Sequence, residues 1–310
     1  MKNLLCLYII ILFLLFTGCF QENVESLQLE KRDRIVYKIG EKKPFSGVIK
    51  NYYSNGKLKV EYSYKNGKLH GKYKEYFEDG KPAKEIEFKD GEKHGTVKCY
   101  CGDEGKLHQD SVFKAGKLTG KRITYYPDGS LLEITEWEAD KLSGIFEQYY
   151  MNGQLKVKGN FRNGEAEGIA QEYYENGTLL GETYYIHGKA EGYSREYYSD
   201  GKIAKELNYE NGIEQGDVIS YHSNGNILEK GRYIYGKKEG IWTTYYSNGN
   251  PINKITYKDN DSKNGEEYNY DLKGNLELKV TWNTINDEFI YEHYKDGKII
   301  NKVIQKNNTN

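Results

Sequence analysis

The chain has 310 residues, with 45 basic and 46 acidic side chains and a formal net charge of −1. Both signs of charge are interspersed along the chain. It therefore lacks the basic face of a nucleic-acid-binding protein, and no nucleic-acid partner is expected. Only 37% of the residues are apolar, yet 14% are aromatic, including 31 tyrosines. Disordered chains of low hydrophobicity are poor in aromatic residues, so the composition indicates a folded protein whose core is built largely from tyrosine.

The N-terminus has the pattern of an export signal. Lys2 precedes an almost wholly apolar stretch, Leu4–Phe16, which is followed by a Thr-Gly-Cys motif ending at Cys19. A short apolar stretch before small residues is typical of a secretory signal peptide, whereas a membrane-spanning helix needs about 20 apolar residues. We therefore predict a signal peptide over residues 1–18 and an exported protein.

The end of this segment resembles a bacterial lipobox, in which the cysteine becomes the first mature residue and carries lipid. The resemblance implies that Cys19 bears several acyl chains, which together anchor a protein firmly to a membrane. Phe20 stands where such lipoproteins carry the aspartate that retains them at the inner membrane. The resemblance thus implies the outer membrane in a cell that has two. The alternative is an ordinary secretory signal in which the cysteine is incidental.

Two further cysteines, Cys99 and Cys101, follow within the mature chain. They lie two residues apart on a predicted strand, so they share a face at a separation close to the upper limit of disulfide geometry. Two ligands alone do not define a zinc site. We interpret both cysteines as substitutions within a repeat, and we predict no metal site and no cofactor.

A 24-residue period dominates the chain. Asn or Asp precedes nine of eleven regularly spaced turn glycines. Asn-Gly and Asp-Gly between apolar-patterned runs indicate tight hairpins, because both turn residues then adopt positive φ. The eleven glycines are Gly56, Gly80, Gly105, Gly129, Gly153, Gly177, Gly201, Gly225, Gly249, Gly274 and Gly297.

A second turn lies halfway through each unit, as in the segment from Tyr64 to Gly71. Each unit is therefore predicted to be two short strands and two turns. The sequence predicts an all-β protein, an elongated antiparallel β-meander of about twenty strands in a single-layer twisted sheet. We expect residues 19–35 to form a lipidated N-terminus and linker, residues 36–298 the repeat array, and residues 299–310 a C-terminal tail.

The repeated pattern Gly-x-x-x-x-Tyr-Tyr-x-Asn-Gly-Lys-Leu, followed by aromatic-x-Asn-Gly-Lys, resembles the MORN-repeat variant of the YwqK-type antitoxin family. It also resembles exported bacterial proteins made of 24-residue repeats. The resemblance covers nearly all of the mature chain and implies a MORN-like architecture. It further implies an immunity role, in which the protein neutralises a toxin.

Hairpin pairing predicts the two faces of the sheet. If Asn55-Gly56 is a two-residue loop, Tyr53 lies opposite Leu58 and Gly47 opposite Tyr64. Alternation along the strands then gives an apolar face of Ile49, Tyr53, Leu58, Val60, Tyr62 and Tyr64. Each repeated glycine faces a large aromatic ring, which can cover the missing side chain.

The tyrosines that precede the turns form a stripe on the opposite, polar face. Tyrosine suits binding surfaces because it offers a large area at low rotamer entropy. The alternative is architectural, since tyrosine is a strong strand former whose hydroxyl neighbouring repeats can satisfy. This candidate binding stripe comprises Tyr52, Tyr76, Tyr100, Tyr125, Tyr149, Tyr173, Tyr197, Tyr221, Tyr245 and Tyr270.

No nucleophile elbow, phosphate-binding loop, dinucleotide fingerprint or zinc-protease motif occurs in the sequence. Its acidic residues are scattered at turns, so no catalytic residues are assigned and the protein is not expected to be an enzyme. We predict a membrane-anchored scaffold that mediates protein–protein or envelope interactions. The alternatives are immunity against a secreted toxin and a lipid- or glycan-contacting envelope module. The expected partner is either an unidentified protein, for which a toxin is one candidate, or a second copy of the chain.

Overall fold

A computed structural model describes residues 29–101, 105–258, 265–283 and 286–306. All secondary structure in these residues is β-strand, which confirms the predicted all-β fold. No helix among them is long and apolar enough to cross a membrane. The predicted signal peptide and Cys19 lie outside the described residues.

The strands fall into two groups. The first two form a separate antiparallel hairpin, and the remaining 25 form one antiparallel sheet in which hydrogen-bonded neighbours follow the order of the chain. In chain order, the strands are β1 (Leu29–Arg32), β2 (Ile35–Lys38), β3 (Gly47–Tyr52), β4 (Leu58–Lys65), β5 (Lys68–Leu69), β6 (Gly71–Tyr76), β7 (Pro82–Lys89), β8 (Glu92–Tyr100), β9 (Leu107–Lys114), β10 (Lys117–Tyr125), β11 (Leu131–Glu138), β12 (Lys141–Tyr149), β13 (Leu155–Arg162), β14 (Glu165–Ala166), β15 (Gly168–Tyr173), β16 (Leu179–Ile186), β17 (Lys189–Tyr197), β18 (Ile203–Glu210), β19 (Ile213–Glu214), β20 (Gly216–Tyr221), β21 (Ile227–Ile234), β22 (Lys237–Tyr245), β23 (Pro251–Tyr257), β24 (Glu266–Tyr270), β25 (Leu276–Asn283), β26 (Glu288–Lys295) and β27 (Lys298–Lys306).

The sheet is an open ribbon. β5, β14 and β19 are two-residue segments that continue after a bulge into the next strand, so the sheet is 22 strands wide. At ~4.8 Å per strand, its contour is roughly 100 Å. No pairing joins β27 to β3 among the described residues.

One row of side chains runs across the inner face and contains most of the buried residues. Cα partners in adjacent strands share a face, so the pairs Ile49–Tyr62, Ile86–Val97 and Thr183–Ser194 belong to this row. No second layer covers the sheet in the part of the chain that the structure describes, so the row is buried by side chains that flank it on the same sheet. The buried members of this central row are Ile49, Ile86, Val97, Ser111, Thr135, Thr183, Ser194, Leu207, Val218 and Trp242.

Aromatic rings provide much of this cover. Tyr209, Tyr233 and Tyr257 pack on the cluster of Leu207, Val218 and Trp242. The hydroxyls that replace apolar side chains in the row are paired, as between Thr183 and Ser194, whose oxygens are 2.7 Å apart. The inner face predicted from the sequence is therefore confirmed in its centre.

The midpoint turns are two-residue hairpin loops. Lys65 pairs with Lys68, and the intervening Asn66 and Gly67 both have positive φ (50° and 74°). The same backbone conformation recurs at Asp90-Gly91 and Asn211-Gly212. These are the tight turns that Asn-Gly pairs favour.

The turns that follow the tyrosine pairs, which we call the tyrosine turns, differ from the prediction. In the turn between Tyr53 and Lys57, only Gly56 has positive φ. The amide of Tyr53 donates to the carbonyl of Lys57, and the amide of Gly56 donates to the carbonyl of Tyr53. The loop therefore has three residues, and Leu58 pairs with Tyr52 rather than with Tyr53. The assignment of Leu58 to the inner face was therefore wrong. A bulge between the Asn51 and Tyr52 pairs restores the predicted register, so the pairing of Gly47 with Tyr64 is confirmed.

The asparagines of these turns act through their side chains. Asn55 Oδ1 accepts from the amide of Lys57 at 3.0 Å, which closes the loop. Asn55 Nδ2 donates to the carbonyl of Glu78 in the next unit at 3.1 Å. Asp79 closes its own loop in the same way, accepting from Lys81 at 2.9 Å. Asx side chains at these positions thus cap the turn, and the amide form also links consecutive units.

The repeated glycines lie opposite aromatic residues, as predicted, but they also carry a backbone constraint. Gly71 pairs with Phe88 and Gly168 with Tyr185. From Gly71 to Gly240, each of these glycines has positive φ. Each lies at a bulge, where the strand register shifts. A side chain at such a position strains the backbone, so the bulge as well as the facing ring accounts for the glycine.

The two ends of the ribbon differ. At the N-terminal end, the amide of Gly67 donates to the carbonyl of Phe45 at 2.7 Å, and the Phe45 ring packs edge-on against Tyr64. The hairpin of β1 and β2 covers this end, since the amide of Val36 donates to the carbonyl of Gly67. At the C-terminal end, the segment assigned to a tail contributes β27, and all nine residues of that strand are exposed.

Candidate binding surface

The outer face carries a ladder of alternating charges. Successive partners across the first strands are Lys50, Glu61, Lys74, Glu85 and Lys98. The side chains of Lys50 and Glu61 approach to 3.3 Å. Exposed pairs of this kind each contribute little stability, but the alternation leaves no large surface of one sign across these strands.

The stripe tyrosines lie beside this ladder on the same face. Tyr52 is exposed and the other nine are half-buried. Tyr149 donates to Glu147 at 2.7 Å, and Tyr197 donates to Glu182 at 3.0 Å. Burial, together with the hydrogen bond to Glu147, raises the pKa of Tyr149 to about 12.

The sheet itself therefore uses several of these hydroxyls. This arrangement favours an architectural role for the repeated tyrosines. A direct binding role for the stripe stays a prediction.

A second outer row is the variable one. Each unit contributes two residues to this row. One follows the bulge glycine, the other precedes the aromatic residue that faces this glycine, and the two are Cα partners. Several pairs are charged, such as Lys72–Glu87 and Lys121–Glu136. The pairs Ile169–Tyr184 and Tyr193–Asn208 are not.

Uncharged pairs also occur singly elsewhere in this row, as at Val48–Ser63 and Ile241–Thr256, but in the middle of the array three of them follow one another and form a continuous uncharged surface. We call Asn160, Ile169, Tyr184, Tyr193 and Asn208 the central patch. Ile169, Tyr184 and Tyr193 are 45%, 38% and 43% exposed, and both asparagines are exposed. Uncharged aromatic, aliphatic and amide side chains on a charged face are typical of an interaction site.

Charged groups border the central patch. The guanidinium of Arg195 lies 5.3 Å from the centre of the Tyr193 ring. It also pairs with Glu206 at 2.9 Å. The repeat pattern alone does not reveal the central patch, because its residues lie at positions that vary between repeats. An alignment of the units in the observed register exposes those positions.

The inner face offers no reactive centre in the described part of the chain. Cys99 and Cys101 are both free thiols. Burial raises the pKa of Cys99, so its thiol is held in the less reactive protonated form. No three His, Cys, Asp or Glu residues in the described ranges are grouped to hold a metal ion.

Three solved structures illustrate what the chain is similar to. A crystal structure of TcdB2-TccC3 is 13% identical, with a TM-score of 0.19, over 80% of this chain and 16% of that one. Alternansucrase in complex with isomaltononaose is 15% identical, with a TM-score of 0.19, over 81% and 18%. A porin-like protein from Bacteroides uniformis is 11% identical, with a TM-score of 0.18, over 83% and 93%.

These TM-scores are too low to support any conclusion about fold or function. The chain spans less than a fifth of the first two proteins. No curated protein matches the sequence significantly.

Eight segments match the MORN repeat variant, and together they cover more than half of the chain. Their boundaries follow the hairpins, since the matches from residue 69 to residue 235 each begin just after one midpoint turn and end in the next, and the unit that contains Cys99 and Cys101 is not matched. The matched residues are 46–66, 69–90, 118–139, 142–163, 166–187, 190–211, 214–235 and 238–259. The chain therefore belongs to the family of MORN repeat variant proteins.

Proposed function

We propose that this protein is a non-catalytic repeat scaffold that binds a protein partner through the central patch. The observation that carries the proposal is the contrast within one face. Most stripe tyrosines are half-buried in the sheet, whereas Ile169, Tyr184 and Tyr193 are exposed in columns that vary between units. Repeat arrays typically use a constant framework to present variable surface positions.

A protein partner fits this surface better than a small molecule. Small-molecule sites are concave and enclose most of the ligand, whereas Ile169 and Tyr184 are paired on an extended sheet. Tyr and Asn side chains flanked by Arg195 and Glu206 provide an apolar centre with a polar rim, which is typical of protein–protein interfaces.

The lipobox resemblance supports a location for the scaffold in the cell envelope. Lipidated Cys19 would hold one end of the array at the membrane, while the central patch lies several units away along the ribbon. The immunity role implied by the YwqK resemblance is a special case of this function, in which the bound protein is a secreted toxin.

The test is affinity capture after crosslinking in intact cells, with variants that change only the central patch. Ile169→Lys and Tyr193→Ser are expected to weaken recovery of the partner at least tenfold, because both remove exposed apolar contact area from the centre of the interface. Val48→Lys is the matched control. Val48 follows Gly47 as Ile169 follows Gly168, and it is 55% exposed at the far end of the array.

Equal loss in all three variants, or in none, would contradict binding at the central patch. A captured toxin would establish immunity. Recovery of lipid or glycan alone would support the envelope-module alternative instead.

The anchor is tested separately, by feeding cells an alkyne-labelled fatty acid. We expect label on the protein and its recovery with membranes, and the loss of both in Cys19→Ala. An unlabelled wild-type protein would refute lipidation without affecting the central patch.

A further inference from the structure

The C-terminal edge strand of the sheet is long, uncovered and rich in exposed aliphatic residues. β27 contributes four large aliphatic residues, of which Ile299, Ile300 and Ile304 are more than half exposed, and Val303 is 44% exposed. β26 pairs with one edge of β27, and no strand pairing within the described residues involves the other edge. An exposed apolar edge strand is a template for pairing with another strand.

The N-terminal end of the sheet provides a comparison, because the central row is buried there. Ile49 belongs to the same central row as Val303, since the row runs through Tyr291 to Val303 at this end. Ile49 is only 3% exposed, compared with 44% for Val303. Terminal repeats of soluble arrays usually present a polar outer surface, whereas β27 exposes four large aliphatic residues among its polar ones.

β27 is complementary to itself. In an antiparallel pair related by a twofold axis at Val303, each Val303 faces its counterpart. Lys302 then faces Ile304, and Asn301 faces Gln305. No two lysines of the described strand are directly opposed, and Lys302 is already paired with Glu292 at 2.9 Å.

We infer that two copies of the chain associate through their β27 strands, and that this antiparallel pairing continues the sheet from one copy into the other. The contact is isologous, so it closes as a dimer and does not propagate into a fibre. A single pair of strands buries less area than most stable dimers, so association is expected to depend on concentration.

Disulfide trapping in the full-length protein tests this geometry. Cross-strand partners have Cβ atoms ~4.5–5.5 Å apart, so Val303→Cys is expected to give a covalent dimer under mild oxidation. Val48→Cys at the other end is the matched control and is expected to stay monomeric. Both variants carry Cys99→Ser and Cys101→Ser to remove the free thiols of the described residues.

A second measurement does not rely on crosslinking. Sedimentation of the full-length protein in detergent micelles is expected to show a mass that rises towards twice that of one chain as concentration increases. Val303→Lys is expected to abolish this rise by placing two lysines opposite each other, while Val48→Lys leaves it unchanged.

Equal crosslinking at both cysteine positions would overturn the inference, as would a monomer at all concentrations. A dimer insensitive to Val303→Lys would overturn it too, since another surface would then be responsible. Pairing of β27 with a different protein would overturn it as well, and would show as a Val303→Cys adduct of another mass. These outcomes are independent of partner capture by the central patch, so each proposal can fail alone.

Discussion

Glycines at three positions of the array are required to different degrees, although each lies in or beside a strand. Gly168 has a φ of +81°, and no atom lies within 4 Å of the position that a Cβ would occupy, so only its backbone conformation demands glycine. Gly231 has no such φ, but a Cβ there would lie 2.2 Å from the Trp242 ring. Gly159 has neither constraint, since a Cβ would make an ordinary 3.7 Å contact with Ala170.

Alanine substitutions at these positions are expected to separate the effect of positive φ from the effect of close packing. Gly168→Ala should cost about 1 kcal/mol through left-handed strain, and Gly231→Ala about 1–3 kcal/mol through overpacking against Trp242. Gly159→Ala should be neutral or stabilise by about 0.5 kcal/mol, because it reduces the freedom of the unfolded chain.

The measurement is chemical denaturation combined with hydrogen exchange of peptides from the altered unit, since an array need not unfold in one step. Destabilisation by Gly159→Ala as large as that by Gly231→Ala would show that the Trp242 contact is not the reason for glycine.

At the scale of the repeat unit, a tyrosine rung links consecutive tyrosine turns. The second tyrosine of one unit donates its hydroxyl to the carbonyl of the first tyrosine of the next. Tyr150 does so to Tyr173, and Tyr174 to Tyr197, both at 2.8 Å. His222 takes the same position and contacts the carbonyl of Tyr245 at 2.8 Å. Successive units are thus held together by more than the strand ladder.

Removing and adding rungs should have opposite effects. Tyr150→Phe and Tyr174→Phe are each expected to destabilise the array by ~0.5–1.5 kcal/mol, the usual net contribution of one hydrogen bond. Phe77 occupies the rung position without a hydroxyl, so Phe77→Tyr is expected to add a bond to Tyr100 and stabilise by up to about 1 kcal/mol. Denaturation midpoints measure both, and stabilisation by Tyr150→Phe would contradict the rung.

For the whole molecule, the tyrosine-rich core predicts a limit of stability at high pH. Burial, followed by the charge of Glu214, raises the pKa of both Tyr209 and Tyr233 to about 12. In the unfolded chain both groups titrate near pH ~10. The folded state therefore holds these protons more tightly, so its stability is unaffected below about pH 10 and falls as pH rises towards about 12.

Circular dichroism and tyrosinate absorbance followed together over this range check the prediction. Loss of the sheet should accompany ionisation of the buried hydroxyls. The double variant Tyr209→Phe, Tyr233→Phe is expected to lose less stability per pH unit above about pH 10. Complete ionisation near pH ~10 with an intact sheet would contradict it.

The sequence by itself was sufficient for the architecture. The 24-residue period, the Asn-Gly and Asp-Gly pairs and the alternation of apolar residues predicted serial antiparallel hairpins, because these signals depend on neighbours a few residues apart. The opposition of Gly47 and Tyr64 followed from counting along one hairpin, and it is confirmed. Cys19 and the signal peptide lie outside the described residues, so their assignment remains a prediction from the sequence.

Only the tertiary structure decided the features that depend on contacts between units. The same Asn-Gly pair forms a two-residue loop at Asn66 but a three-residue loop at Asn55, where the side chain also bonds the next unit. The exposure of the central patch and of β27 likewise depends on which strands lie beside them. A local pattern cannot distinguish a residue that a neighbouring repeat covers from one that nothing covers, and in a single-layer sheet that difference separates the framework from the surfaces left to bind.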